Sequence, residues 1–273
     1  SKFQESPFQT ALVGMLDPSA KDPFYRKMAM GLRGRIKQLL GERGDELCQA
    51  ESQLPDTPTL FCMIGDSGLF AGIATPREAN GFYPGGSKFI SHKAPHMISR
   101  AGAKVAEALH YIQLDQPPPG TGAHWLELGA CPGGMTSELL QRSYKVTAVD
   151  RAPLDPRLDG KSGLKFVKAD VADFAPAEET HFDAMLCDMN GESGFALKHV
   201  IRLSQWLEAD GLVIFTLKTA GINGYSSLVH HFQQAVAQAR SGGLALITNT
   251  HLTTNRHEFT LFFSKAGSKP STD

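Results

Sequence analysis

From about residue 120 onward, short apolar runs alternate with segments of helical period. The runs are His124–Leu128, Lys145–Val149, Leu164–Val167, Phe182–Cys187 and Leu212–Leu217. Each is followed by a loop, the pattern of parallel strands buried on both faces. Helical stretches fit between them near 134–142, 192–208 and 224–239. This β-α repetition predicts an α/β fold built on a doubly wound, mostly parallel sheet. The end of the chain breaks the pattern. Leu244–Asn249 and Glu258–Phe263 are β-type runs joined by the polar stretch HLTTNRH. No helix fits there, so an antiparallel C-terminal hairpin is expected.

Residues 1–90 read as a small α+β module. Asp22-Pro23 is a helix start, with an N-cap residue followed by Pro at the first helical position. Met28, Leu32, Ile36, Leu39 and Leu40 then mark one apolar face, and Arg26, Arg33 and Lys37 share a face away from it. Leu60–Ile64 and Leu69–Ile73 flank Gly65-Asp66-Ser67-Gly68, a hairpin signal. A linker, ANGFYPGGSKF (79–89), and a helix from about 95 to 113 lead into the larger domain, which takes 91–273.

Composition narrows the classes. Lys+Arg number 27 and Asp+Glu 28, so nucleic-acid binding through bulk charge is excluded. A local exception is the stretch 21–43, with seven basic and two acidic residues. Such a stripe can neutralise phosphates. Cys48, Cys62, Cys131 and Cys187 form no CxxC pair, so neither a metal site nor a disulfide framework is expected. No apolar run approaches the ~18 residues of a membrane span. The opening SKFQESPFQT has no apolar signal-peptide core, so the expected location is the cytoplasm.

The most informative stretch is WLELGACPGGMTSEL, residues 125–139. A strand ends at Leu128, Gly129 permits a tight turn, and Pro132-Gly133-Gly134 keeps the backbone bare before a helix. Bare backbone at a helix N-terminus lets a ligand approach N–H groups closely. The spelling is neither GxGxxG nor a P-loop. Asp150 and Asp170 end the next two strands, at the carboxyl edge where open α/β sheets bind ligands. The first stands about 20 residues past the turn, the place of an acid that accepts from ribose hydroxyls; the second could sit near an adenine amino group. A mostly parallel sheet closed by a terminal hairpin is also the usual architecture of S-adenosylmethionine-dependent methyltransferases, a Rossmann-like fold.

LGACPGG (128–134), AVD (148–150), CDM (187–189), FTLK (215–218) and SRAGAK (99–104) occur in an order and spacing that closely resemble the FtsJ-like family of ribosomal RNA 2′-O-methyltransferases. GFYPGGSKFISHKAPHMISRAGAKVAEAL upstream is similar to the bacterial subgroup that methylates a cytidine ribose of large-subunit rRNA, whose members carry an N-terminal RNA-binding THUMP region. The resemblance implies a Lys-Asp-Lys-Glu tetrad at Lys104, Asp188, Lys218 and Glu258, with Lys218 as proton acceptor. It implies S-adenosylmethionine as cofactor, held by Gly129, Ala130, Cys131, Pro132, Gly133, Gly134, Met135, Asp150, Asp170 and Asp188. Met135 stands where many relatives have Trp.

A ribose 2′-hydroxyl is a weak nucleophile, so its transfer chemistry wants a general base with a pKa near operating pH. Lysine ordinarily lies near 10.4. Burial at the end of LVIFTL and the second ammonium of Lys104 are expected to pull Lys218 down. Large-subunit rRNA is the expected partner, met by Arg26, Arg33, Lys37, Lys93 and Arg100. Phe82 and Tyr83 either stack on unpaired bases or pack at the domain junction. Alternatives are a methyltransferase of the same fold acting on a small molecule or protein, and a non-catalytic RNA-binding protein that keeps the cofactor pocket.

Overall fold

The computed structural model describes residues 8–17, 23–79, 81–84 and 98–266. They divide into two compact units. The first takes the described residues up to 84 together with Leu109–Gln116; the second takes 98–108 and the residues from Pro117 on.

In the first unit, strand β1 (Thr10–Met15) runs parallel to β2 (Thr59–Gly65), and β3 (Gly68–Ala74) returns antiparallel to β2 through a two-residue turn. Parallel neighbours need a crossover, which helices α1 (Pro23–Leu40) and α2 (Gly44–Leu47) supply. The hairpin was expected; β1 was not, because TALVGM is an apolar run too short for its period to declare a strand. Asp22 lies outside the described residues, but Pro23 does open α1.

The apolar face of α1 differs from the expected one. Ala29 and Ile36 are buried, with Leu32 and Leu40 packed beside them against Ala11, Val13, Cys62 and Ile64. Met28 and Leu39 are exposed. Arg33 does not lie away from this face. At 100° per residue it stands next to Ala29, is half-buried, and donates to the Cys48 carbonyl at 2.8 Å. The basic stripe therefore flanks the buried face. Phe82 is fully buried and stacked on His110, with ring centroids 3.8 Å apart, while the Tyr83 hydroxyl meets His110 Nδ1 at 3.1 Å. The base-stacking role considered for Phe82 is overturned, because its ring faces are spent inside this unit.

The second unit holds a seven-stranded sheet in the order β6-β5-β4-β7-β8-β10-β9. The strands are β4 (His124–Leu128), β5 (Lys145–Asp150), β6 (Leu164–Lys168), β7 (Phe182–Cys187), β8 (Leu207–Lys218), β9 (Leu244–Thr250) and β10 (Glu258–Lys265). All neighbouring pairs are parallel except those of β10. The terminal hairpin forms, but its second strand inserts between β8 and β9.

Helix α3 (Ala101–Tyr111) precedes the sheet; α4 (Gly134–Gln141), α5 (Ser193–Leu203) and α6 (Tyr225–Ser241) lie between strands. Leu126 and Leu128 join a core with Leu197 and Val200 of α5 and Ala235 and Ala239 of α6. Trp125 and Glu127 alternate to the opposite face, where Glu127 meets Thr136 of α4. Both faces of β4 are thus covered, which is why Trp125, Leu126 and Leu128 are apolar and the acid among them, Glu127, is buried. Each fully buried side chain such as Phe215 or Leu126 contributes about 1.5–3 kcal/mol. None of the four cysteines forms a disulfide. Among the described residues, no helix is long and apolar enough to cross a membrane.

Candidate active site

The turn between β4 and α4 is tied to the end of β5. Gly129 and Ala130 donate to the Val149 carbonyl at 3.0 and 3.3 Å, and the Cys131 N–H donates to Asp150 Oδ2 at 2.9 Å. Asp150 Oδ1 accepts from Ala152 N at 2.8 Å. The Cys131-Pro132 peptide bond is cis. Gly133 has φ +104, in the left-handed region, and a β-carbon there would run into Leu158. A β-carbon on Gly134 would run into Ser99. The missing side chains thus first allow the protein's own segments to close around the turn, not only a ligand to enter it.

Asp170, two residues past β6, accepts from Ala172 N at 2.9 Å. Arg202 of α5 donates to the carbonyls of Val171 at 2.7 Å and Phe174 at 2.9 Å, which fixes the segment after Asp170. The turn, these strand ends and the segment after β7 line a cleft of about 520 Å³. That is the size of a small-molecule site. Every residue expected to hold a cofactor lines it except Gly133, which packs on Leu158.

Asp188, immediately after β7, belongs both to this cleft and to a ring of four charges. Lys104 Nζ lies 3.1 Å from Asp188 Oδ2 and also pairs with Glu258 Oε1. Lys218 Nζ lies 2.8 Å from Glu258 Oε2 and also pairs with Asp188 Oδ1. The four side chains come from α3, the β7 end, the β8 end and the β10 start, and are only 12–20% exposed. Glu258 and Lys218 are opposite one another in the β8–β10 register, so strand pairing itself brings them together. The backbone of Lys218 is gripped as well: its N–H donates to Ser193 Oγ at 2.8 Å, and its carbonyl accepts from His231 at 3.1 Å.

The electrostatics of Lys218 correct the expectation. Burial alone lowers its pKa, but Asp188 and Glu258 outweigh burial and hold the ammonium above the ordinary lysine value. For Glu258, burial raises the pKa and the two lysines outweigh it, so its carboxyl is held below the usual range. Both carboxylates bridge the two lysines, so the net effect on Lys218 is opposite to the one expected from a second ammonium.

Residues 97–222 match the family model of FtsJ-like methyltransferases. Residues 97–222 belong to the FtsJ-like methyltransferase family. The chain is 32% identical over 200 residues to ribosomal RNA large subunit methyltransferase M of Halorhodospira halophila, an alignment covering 71% of this chain and 52% of that protein. It is 32% identical over 251 residues to the protein of the same name from a Photorhabdus species, covering 87% and 63%. The chain thus spans between half and two-thirds of these curated relatives. Among solved structures, a Streptococcus thermophilus protein described as a hemolysin superposes with a TM-score of 0.56 at 18% identity, covering 67% of this chain and 72% of that one. A Lactococcus lactis protein of like description gives 0.52 at 21%, covering 64% and 91%. These likenesses concern the fold alone.

Three members of the charge ring lie inside the FtsJ-like segment and the fourth, Glu258, lies beyond it. Sequence reasoning missed Glu127, which also lines the cleft. It is 2% exposed, and burial pushes its carboxyl up to about 8, with Asp188 and Asp150 adding repulsion and Thr136 pulling partway back. An acid in the middle of the apolar HWLEL was the available signal. Phe195, at the start of α5, also lines the cleft and is half-exposed. Of the basic residues, Arg26 and Arg100 are exposed, and Arg33 and Lys37 are half-buried. Lys93 lies outside the described residues.

Proposed function

We propose that this chain is an S-adenosylmethionine-dependent RNA methyltransferase acting on a ribose 2′-hydroxyl, with large-subunit rRNA as its substrate class. The observation that carries the reading is the ring of Lys104, Asp188, Lys218 and Glu258, which shares Asp188 with the cleft. Small-molecule methyl acceptors with acidic protons need no such ring. The names of the curated relatives support rRNA as the substrate.

The cleft suits the cofactor. Asp150 spends one lone pair of each oxygen on backbone N–H groups and keeps others for hydroxyl donors, and Asp170 does so on one oxygen. Bound there, S-adenosylmethionine would supply a methyl group on a cationic sulfur. The chain's own residues handle the proton. Neutral Lys218 accepts it from the 2′-hydroxyl, and Asp188 and Glu258 hold the resulting ammonium. Lys104 balances the second charge of that carboxylate pair. With all four ionised the ring is neutral, so a positive charge arriving in the cleft favours loss of the Lys218 proton. Exposed Arg26, with Lys37, and Arg100 are proposed as phosphate contacts.

Lys218→Ala should abolish methyl transfer to the RNA while S-adenosylhomocysteine still binds by calorimetry. Near-normal turnover of that variant would sink the base assignment. Ribose-methylation mapping of RNA from cells with and without the gene should reveal one missing mark in large-subunit rRNA. An unchanged map would sink the substrate class.

A further inference from the structure

Glu107 and Thr253 are 146 residues apart and joined by two short hydrogen bonds. The Thr253 N–H donates to Glu107 Oε1 at 2.7 Å, and the Thr253 hydroxyl donates to Oε2 at 2.6 Å. Glu107 is 2% exposed. A buried carboxylate is retained at a cost unless its hydrogen bonds are made, and a charge-assisted pair of this kind is strong and directional.

The position of the clamp gives it a consequence. Glu107 stands three residues after Lys104 on α3, and residues three apart share a helix face. Thr253 sits in the connection 251–257, which has no regular structure and leads directly into Glu258. The same connection is anchored at its far end, where Thr219 N donates to the His257 carbonyl at 2.8 Å. It also holds Asn255, whose amide, turned to satisfy both of its ends, donates to Glu258 Oε1 at 3.2 Å. One helix therefore delivers Lys104 to the ring and, one turn on, tethers the segment that delivers Glu258.

We propose that Glu107 and Thr253 are positioning residues for the 2′-O-methyl transfer: strand pairing sets Glu258 opposite Lys218, and their clamp ties the segment before Glu258 to the helix of Lys104, so that the carboxylate is held toward both lysines. The proposal rests on the proposed function above. Without the clamp, the connection can drift, and a carboxylate displaced by about 1 Å from two ammonium groups loses alignment that is worth up to about a hundredfold in rate. Lys218 faces Asp188 and Glu258, with Lys104 beyond both carboxylates. A looser pairing with Glu258 removes one of its two stabilising charges.

The test compares Thr253→Val, Thr253→Ser and Glu107→Gln with Lys218→Ala in one methyl-transfer assay. Thr253→Val keeps shape and the N–H bond but loses the hydroxyl bond. It should lower kcat about tenfold, leave KM for RNA and the calorimetric Kd of S-adenosylhomocysteine within about twofold, and move the acid limb of the kcat–pH profile toward acid by about half a unit. Thr253→Ser keeps both bonds and should match the wild type, and Glu107→Gln, whose amide can meet both Thr253 groups but without the charge, should lower kcat in the same direction by a smaller factor than Thr253→Val. A wild-type kcat and an unmoved limb in Thr253→Val and Glu107→Gln, with Lys218→Ala inactive, would overturn the positioning role alone. A change confined to KM or cofactor affinity would overturn it as well. An active Lys218→Ala would instead overturn the base reading on which it stands.

Discussion

Glu127 sits under the cleft as a carboxyl whose pKa is pushed up to about 8 by burial, against the usual range of the unfolded chain. The folded protein thus binds a proton there that the unfolded chain releases near pH 4.5. As pH rises from 4.5 toward 8, only the unfolded state gains from ionisation, so stability falls across that window and levels off above it. With 1.36 kcal/mol per unit, the group costs about 1 kcal/mol at pH 5 and about 4 kcal/mol at pH 7.5. Glu127→Gln removes the titration while its side-chain carbonyl can still accept from Thr136, now 2.7 Å away. The variant should therefore gain about 3 kcal/mol over the wild type between pH 5 and pH 7.5. In thermal denaturation without cofactor this is a relative rise of about 6–12 °C. Urea unfolding at the two pH values, for both proteins, isolates the effect as a double difference. A wild-type-to-variant difference that stays constant across this range would mean that Glu127 ionises normally in the fold, and the burial argument would fail.

Other consequences follow from the turn and from α1. Gly133→Ala forces a side chain into φ +104 and onto Leu158, so it should destabilise the fold by roughly 1–3 kcal/mol; an unshifted urea midpoint would contradict this. Arg26→Glu with Lys37→Glu should weaken RNA binding and flatten its salt dependence by about one unit of slope for each phosphate no longer neutralised. Filter binding across a salt series reads both, and unchanged affinity would remove α1 from the RNA surface. Arg33 is unsuited to that test, since its guanidinium is engaged with the Cys48 carbonyl.

Much of the second unit was readable along the chain. The central parallel strands announced themselves because both of their faces are buried, which leaves runs such as Leu212–Leu217 almost wholly apolar. The turn at 129–134 was readable because glycine and proline mark special backbone wherever they occur. The four ring residues were found by resemblance to a family, and the structure brings them together. The first unit was harder. The side of α1 that is buried depends on what packs there, and Arg33 beside Ala29 reads as solvent-facing until the Cys48 carbonyl is placed beside it. Phe82 gave no sign of its partner, because His110 lies 28 residues along the chain.

By itself the sequence determined the local facts: where strands run, where the backbone must turn, and which ionisable residues are available. Periodicity and glycine placement record them because they depend on near neighbours. Only the tertiary structure decided the protonation of Lys218, the order that puts β10 beside β8, and the clamp between Glu107 and Thr253. Each of these depends on charges or hydrogen-bonding atoms brought within a few ångströms by segments 30 to 146 residues apart. Coulomb and hydrogen-bond energies vary with that distance in space, and no pattern along the chain encodes it.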